Sequence, residues 1–424
     1  MNEKLKKFLD EHRMSASLIM PSQEAEKMKE DMERGLKGEK SSMPMIPAYL
    51  SNEGEIADGE AAVVIDAGGT NFRCALLRFE NGTYNLEGSS KRKMPGIDKP
   101  ADWDEFVSFV ADNIMPFMEK ADKIGFCFSY SADITPEIDG KVNCIDKEVV
   151  ISNSAGKLVG ASLVAELERR GIHGKKAVIL NDTVAVLLGG ASALEKNAYG
   201  GFAGQVSGTG TNTCCSLPLK RIEKLGRAED RSILVNLESG MYDGMPMGDF
   251  DKELDKNSNN PGSKHFEKKT AGAYLGELFR FMYRAAAGEG LLSDEGKSKA
   301  LALGKIDAGD LDGWSCGENL SELCGSAEDE EFVVGLAKDI FERSARCMCT
   351  NLLAIMLLTG EGSDANKPFC VCAEGSLVQR GRHYRPVLEK LLKEEGEKLG
   401  LHAVLKVGDG STMPGSAAAA ILNI

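Results

Sequence analysis

A glycine turn between two strands occurs twice in this chain, and no other feature constrains the fold as strongly. Residues 63–77 read VVIDAGGTNFRCALL and residues 205–219 read QVSGTGTNTCCSLPL, so Gly69-Thr70-Asn71 recurs as Gly210-Thr211-Asn212. The apolar runs on either side of the first turn predict strands over 61–66 and 71–79, a hairpin turning on Gly68 and Gly69. A P-loop or a dinucleotide fingerprint places its glycines between a strand and a helix. Here they lie between two strands, and no G-K-S/T or G-x-G-x-x-G follows. That order argues against the common nucleotide folds and for a duplicated phosphate-binding device.

Two similar halves, each with a glycine hairpin facing a common cleft, are what an actin-like ATPase (ribonuclease-H-like) fold produces. The expectation is therefore a two-domain α/β protein with a central interdomain cleft. Two further glycine turns fit it: Gly375-Ser376 after a strand over 368–372, and Gly410-Ser411 after a strand over 403–407. The small residues 416–420 predict a closing helix that packs tightly because its side chains are short. Near the N-terminus Leu5, Phe8 and Leu9 share a helical face, and Pro21-Ser22 opens a charged helix that Gly35 and Gly38 close. With 424 residues there is chain for two or three cores. The expected division is N-terminal helices 1–60 belonging to a large domain, a small domain 61–183, the large domain 184–410, and a helix 411–424 returning to the small domain.

Charge narrows the partners. There are 51 basic and 65 acidic residues, a net charge of −14, which argues against a surface built to grip nucleic acid or an anionic membrane. An anionic ligand then needs a metal ion or a local nest of backbone N–H groups. No run of about 18 apolar residues predicts a membrane span, and the opening Met-Asn-Glu-Lys-Leu-Lys-Lys does not read as a signal peptide. A cytoplasmic protein is expected, with monomer and homodimer both open. The eleven cysteines are scattered, and neither Cys347/Cys349 nor Cys370/Cys372 makes a C-x-x-C knuckle, so they read as reduced, buried filler.

Two strand-end acids carry the chemistry. Asp66 closes the first strand just before the glycine turn, where it either caps an ordinary hairpin or reaches a phosphate-bound Mg²⁺, directly or through water. The apolar strand 177–180 runs into Asn181-Asp182-Thr183 and then a helical segment. There Asp182 or Thr183 is a helix N-cap, or Asp182 is a general base for an attacking hydroxyl. None of the five histidines stands in a G-x-S-x-G or H-E-x-x-H setting. Arg380, Arg382 and Arg385 either meet a nucleotide or form a solvated helix entry.

With these residues in place the chain resembles the hexokinase family. The resemblance runs in order through SSMPMIPAYL (41–50), VIDAGGTNFR (64–73), IGFCFSYSADI (124–134), ILNDTVAVLL (179–188), SGTGTNTC (207–214), NPGSKHFEKKTAGAYLGEL (260–278), ERSAR (342–346), and CAEGSL with VGDGS. It implies an ATP- and Mg²⁺-dependent transfer to a hexose 6-hydroxyl, the alternative being a catalytically weak hexose sensor on the same fold. Asp182 matches the catalytic base, and Ser129, Asn181, Asn212, Glu238 and Glu267 match sugar contacts. Asp66, Gly68, Gly69, Thr70, Asn71 and Arg73 match the first phosphate motif, and Gly208, Thr209, Gly210 and Thr211 the second. Gly375, Ser376, Gly410 and Ser411 match the adenosine region. The family's phosphate lysine matches Lys147, with Lys157 competing. Glu238-Ser239-Gly240 stands where the family has E-W-G, and Ser131 where it has proline, which implies a wider sugar pocket. Sugar binding is expected to close the cleft, because the sugar-matching residues fall on both sides of the boundary near Thr183.

Overall fold

The computed structural model describes residues 2–145 and 149–424. By contact the chain forms two compact units. Unit one is Met1–Pro44, Val206–Asn212 and Glu238–Val407; unit two is Met45–Gln205, Thr213–Leu237 and Gly408–Ile424. This contact division differs from the sequence boundaries, since residues 45–60, 184–205 and 213–237 group with 61–183. The reason is packing: Ala48, Leu50, Val184, Leu187, Leu188, Cys214 and Leu234 share one core with Val64 and Ala75.

Unit two is built on a five-stranded sheet. Its strands are β1 (Ala61–Gly68), β2 (Asn71–Glu80), β3 (Thr83–Lys93), β4 (Lys123–Phe128) and β5 (Lys176–Leu180), in the order β5-β4-β1-β2-β3. β1 pairs antiparallel with β2 and β2 with β3, whereas β4 pairs parallel with both β1 and β5. The alternation expected of a strand is filled on both faces. Val63, Ile65 and Ala67 point into one core, which includes helix Trp103–Ile114 and helix Val159–Arg169. Ala62 and Val64 point into the other, which includes helix Asp182–Ser192 and helix Thr412–Asn423. The last of these is the small-residue helix anticipated from 416–420. A Cβ on Gly125 of β4 would lie 1.9 Å from the Ser416 carbonyl oxygen, and one on Gly415 would lie 1.8 Å from that of Ala185. Glycine is therefore required at two separate contacts of this helix, at Gly125 where it crosses β4 and at Gly415 where it crosses helix Asp182–Ser192.

A second run of strands in unit two comprises β6 (Gly201–Ser207), β7 (Thr211–Pro218) and β8 (Ser232–Asn236), with Ile46–Pro47 pairing on the outer edge of β8. β7 and β8 are antiparallel, Cys214 standing opposite Asn236. The far ends of β6 and β7, with the turn between them, are the segment Val206–Asn212 of unit one. Unit one contributes β9 (Phe369–Glu374) and β10 (Ala403–Val407), a parallel pair with Phe369 opposite Ala403.

The core of unit one is the helix Ala327–Thr359, whose Phe332, Leu336, Ile340, Met348, Leu352 and Ile355 are buried. Helix Glu3–Glu11 buries Leu5, Phe8 and Leu9, and Asn2 caps its first turn. Helix Pro21–Lys37 begins with proline at its first position and ends on Gly38 in the left-handed region, φ 76°. A buried ion triad, which the sequence patterns do not reveal, lies against the long helix. Asp251 accepts from Arg343 Nη1 at 2.8 Å, and Lys269 Nζ lies 2.7 Å from its carboxylate. The two cations hold that carboxyl far below its ordinary range against the pull of burial. All eleven cysteines are free thiols. Among the described residues no helix is long and apolar enough to cross a membrane.

Candidate active site

Three parallel strands of unit two end on one edge, and that edge collects the predicted residues. Ala67 of β1 stands opposite Phe128 of β4, and Leu180 of β5 opposite Cys127 of β4. Asp66 to Gly68, Ser129, and Asn181-Asp182 therefore emerge together at the carboxyl ends of these strands, where open α/β sheets bind ligands. The Ser129 N–H donates to the Ala67 carbonyl at 3.1 Å. Gly68 packs closely here: a Cβ on it would come within 3.1 Å of Ser129 Oγ. Gly69 turns the chain at φ 59°, and the Tyr130 hydroxyl pins the turn by donating to the Gly69 carbonyl at 2.8 Å. Burial and then the Asp66 charge push the Tyr130 phenol up to about 12, so it stays a donor. Beyond the turn, Asn71 Nδ2 donates to Thr70 Oγ1 at 3.2 Å, and Arg73 stands on β2 directly opposite Asp66.

The helix after β5 starts with a shared cap. Asn181 is the N-cap residue, and its Oδ1 accepts from the Thr183 N–H at 2.9 Å. Asp182 is the first helical residue, and its Oδ1 accepts from the same N–H at 2.8 Å. Thr183, read from the sequence as another possible cap, is instead wholly buried and gives its carbonyl to the Cys214 thiol at 3.2 Å. Burial pushes that thiol far up, so it behaves as packing.

In unit one the second glycine turn meets the third. The Gly208 N–H donates to the Gly210 carbonyl at 3.0 Å, and the Gly272 N–H to the Gly208 carbonyl at 2.8 Å. A Cβ on Gly208 would lie 3.4 Å from both Gly375 Cα and Ser376 N. Gly375 itself has φ 111°, and a Cβ there would strike the Ser207 carbonyl at 2.3 Å. Gly208, Thr209, Gly272, Ala308, Ser376 and Arg380 are among the residues lining a cavity of about 390 Å³ beside these turns. Arg380 is the member of the arginine cluster that reaches it. Arg382 is held by Asp312 and Glu318, and Arg385 by Glu389. Gly410 and Ser411 belong to unit two, where Ser411 precedes helix Thr412–Asn423.

Unit one also brings Asn212, Glu238 and Glu267 together. Asn212 Nδ2 lies 3.5 Å from Glu238 Oε1, and its Oδ1 accepts from the Ser239 N–H at 3.3 Å. Glu267 Oε2 accepts from the Thr211 N–H at 3.3 Å. Gly240 fits between them, since a Cβ on it would lie 3.0 Å from the Thr211 carbonyl and 3.2 Å from Glu267 Cβ. Glu238 holds a left-handed backbone at φ 55°, the kind of strain that collects at binding sites. The sequence reading missed Lys264, whose Nζ is 3.4 Å from Glu267 Oε1. Its one signal was a charge three residues ahead of Glu267. Tyr130 was also missed, and nothing in its position marks a turn 61 residues earlier. Lys147 lies outside the described residues. Lys157 is exposed in the loop before helix Val159–Arg169, its N–H donating to the Ser154 carbonyl at 3.1 Å. Among the described residues no group of three or more His, Cys, Asp or Glu is set to hold a metal ion.

Two family models, both described as hexokinase, match residues 4–192 and 202–422. The second alone spans more than half of the 424 residues. Among curated relatives, the chain is 27% identical to hexokinase-1 of Nicotiana tabacum over 440 residues, 95% of this chain and 87% of that one. It is 26% identical to hexokinase-1 of Schizosaccharomyces pombe over 451 residues, 97% and 90% of the two chains. Among solved structures it is similar to Schistosoma mansoni hexokinase complexed with glucose, with a TM-score of 0.75, 21% identity and 99% of each chain covered. A second hexokinase crystal structure gives a TM-score of 0.82 at 21% identity, covering 99% of this chain and 100% of that one. At such identities the structural likeness speaks for the fold, which is the two-domain α/β fold of the actin-like ATPases.

Proposed function

Because the chain belongs to the hexokinase family of ATP-dependent hexose kinases, we propose that it transfers the γ-phosphoryl group of MgATP to the 6-hydroxyl of a hexose, giving hexose 6-phosphate and ADP. The observation that carries this reading is the strand edge of unit two, which gathers an acid beside a glycine turn, a serine hydroxyl, and the Asn181-Asp182 pair. A P-loop lysine or a histidine base would call for a different edge.

In this reading Asp182 takes the proton of the attacking hydroxyl as the new O–P bond forms and the bond to ADP breaks. Asn181 and Ser129 orient the hydroxyl-bearing end of the sugar, while Asn212, Glu238 and Glu267 read the ring hydroxyls through paired hydrogen bonds. Thr70, Asn71 and Arg73, with the N–H groups of Gly68 and Gly69, approach the phosphates, as do Gly208 to Thr211. Gly375 and Ser376 with Gly410 and Ser411 take the nucleoside side, and Lys147 serves the transferred phosphate. Asp66 would hold Mg²⁺, directly or through water, and the ion would neutralise charge on the phosphates. For closure on sugar we propose 61–183 with 411–424 as the small moving domain and 1–60 with 184–410 as the large one, a division by movement that cuts across the packing of residues 45–60, 184–205 and 213–237 against 61–183. Eleven free thiols suit a reducing compartment such as the cytoplasm.

Ser239, in place of a large wall residue, supports acceptance of more than glucose. A coupled ADP-release assay with MgATP and glucose, mannose, fructose or N-acetylglucosamine tests the whole reading. Turnover with at least one of them is expected. Calorimetric sugar binding with no turnover on any of them leaves a hexose-sensing protein and sinks the kinase.

A further inference from the structure

His12 takes no part in the chemistry above, yet each nitrogen of its ring faces a different acid. It is the C-cap residue of helix Glu3–Glu11, its N–H donating to the Phe8 carbonyl at 3.1 Å. Its Nδ1 stands 3.3 Å from Oδ2 of Asp249, the first residue of helix Asp249–Lys256. Its Nε2 stands 2.8 Å from Oε1 of Glu289, just past helix Gly272–Gly288. The ring packs between Phe8 and Phe250, each ring centroid 4.8 Å away. The backbone closes the same contact: the Asp249 N–H donates to the His12 carbonyl at 3.0 Å, and a Cβ on Gly248 would lie 2.4 Å from the Arg13 carbonyl oxygen.

A neutral imidazole has one N–H and one lone pair, so it donates to one of these carboxylates and turns a lone pair toward the other. Only the imidazolium donates to both. It also suits the carbonyl end of its own helix. Burial draws the ring's basicity down, yet hydrogen bonds and charge from Glu289 and Asp249 raise it above its ordinary value. The neighbouring charges have other partners. Lys252 takes the other Asp249 oxygen at 3.5 Å, and Lys4, Lys6 and Lys7 pair with Glu328, Asp10 and Glu11. Toward the long helix the contact is apolar, Phe8 against Phe332 with ring centroids 6.0 Å apart.

We propose that His12 is a pH-sensitive latch: doubly protonated, it fastens helix Glu3–Glu11 to unit one through Asp249 and Glu289, and on losing a proton it lets that helix loosen. The anchor side is fixed, because Asp251, two residues past Asp249, is buried in its ion pairs with Arg343 and Lys269. The helix side is held by Leu5, Phe8 and Leu9 and by the exposed pair of Lys4 with Glu328, so it is the side that moves. A group whose folded value is raised stabilises fully below its unfolded value, about 6.5 for histidine, and that contribution is lost as pH rises through the folded one.

The test is amide hydrogen exchange of residues 3–12 in the full chain at about pH 6 and about pH 9, corrected for intrinsic exchange and referred to helix Val159–Arg169 of unit two. Protection of residues 3–12 in the parent is expected to fall about fivefold over that range, the worth of a partly exposed ion pair. His12→Gln, with a donor and an acceptor at every pH, should show no such step. Asp339, which accepts from the Ala16 N–H, titrates near the same range but is common to both proteins, so the difference between them belongs to His12. A step that persists in His12→Gln, or a parent without one, overturns the proposal. Should His12→Gln fold poorly, NMR titration of the parent imidazole decides. Titration above the ordinary value of about 6.5, lowered in Glu289→Gln, upholds the latch; titration at or below it, or unmoved by Glu289→Gln, overturns it.

Discussion

Asp182 sits where two demands meet, and its replacement separates them. As the first residue of its helix it shares the Thr183 N–H with Asn181, so loss of its carboxylate leaves one cap in place. Asp182→Ala should therefore fold and still bind hexose in a calorimetric titration, while kcat drops by at least about a hundredfold. A kcat within about tenfold of the parent would make Asp182 a cap and nothing more. The lysine assignment separates equally well. Lys147→Met should cut kcat by about a hundredfold or more, as loss of a cation on transferred phosphate does, and Lys157→Met should leave it near the parent value. The reverse result transfers the role to Lys157. Asn181, Asp182 and Asp66 were legible as residues because each ends an apolar strand. Lys264 was not, because an ion pair three residues apart looks the same on any solvated helix start.

Hairpins and helix ends follow from local rules. β1 and β2 run over Ala61–Gly68 and Asn71–Glu80, close to the strands predicted over 61–66 and 71–79, because alternation and a glycine turn are properties of short segments. Pro21 and Gly38 bound their helix for the same reason. Helix Thr412–Asn423 was legible as tightly packed from its alanines, although its seat on β4 and helix Asp182–Ser192 was not. That seat makes a sharp prediction. With the Ser416 carbonyl 1.9 Å from where a Cβ on residue 125 would lie, Gly125→Ala must push the helix off the sheet. The expected cost is about 3 kcal/mol, read as a lower urea midpoint at unchanged m-value. An unaltered midpoint would mean that the helix shifts freely and that the close approach is dispensable.

For the molecule as a whole, one buried acid sets an unusual dependence of stability on pH. Asp339 on the long helix of unit one is almost fully buried, and both its oxygens accept from the Ala16 N–H at 3.3 Å. Burial pushes its carboxyl up to about 7, against the pull of that N–H; Glu342 adds to the rise, and Arg343 and Arg346 oppose it. A group whose native pKa exceeds its unfolded value binds more protons when folded. Its stabilising contribution is complete below about pH 4 and is lost as pH rises toward 7. Asp339→Asn removes that loss. Relative to the parent, its unfolding free energy should improve by about 2 kcal/mol between pH 5 and pH 8, measured by urea titration at each pH. A constant difference across that range would show that Asp339 does not titrate there. What the chain order settled unaided was local: the repeated glycine hairpins, the strand-end acids and the helix stops, since each depends on residues a few positions apart. The tertiary structure settled which distant segments meet: Gly208 with Gly375, Glu267 with the Thr211 N–H, Asp251 with Arg343, and residues 184–205 with the first sheet. Those pairings arise from burying apolar area and satisfying buried polar groups across long stretches of chain, and neither is written in the spacing of neighbouring residues.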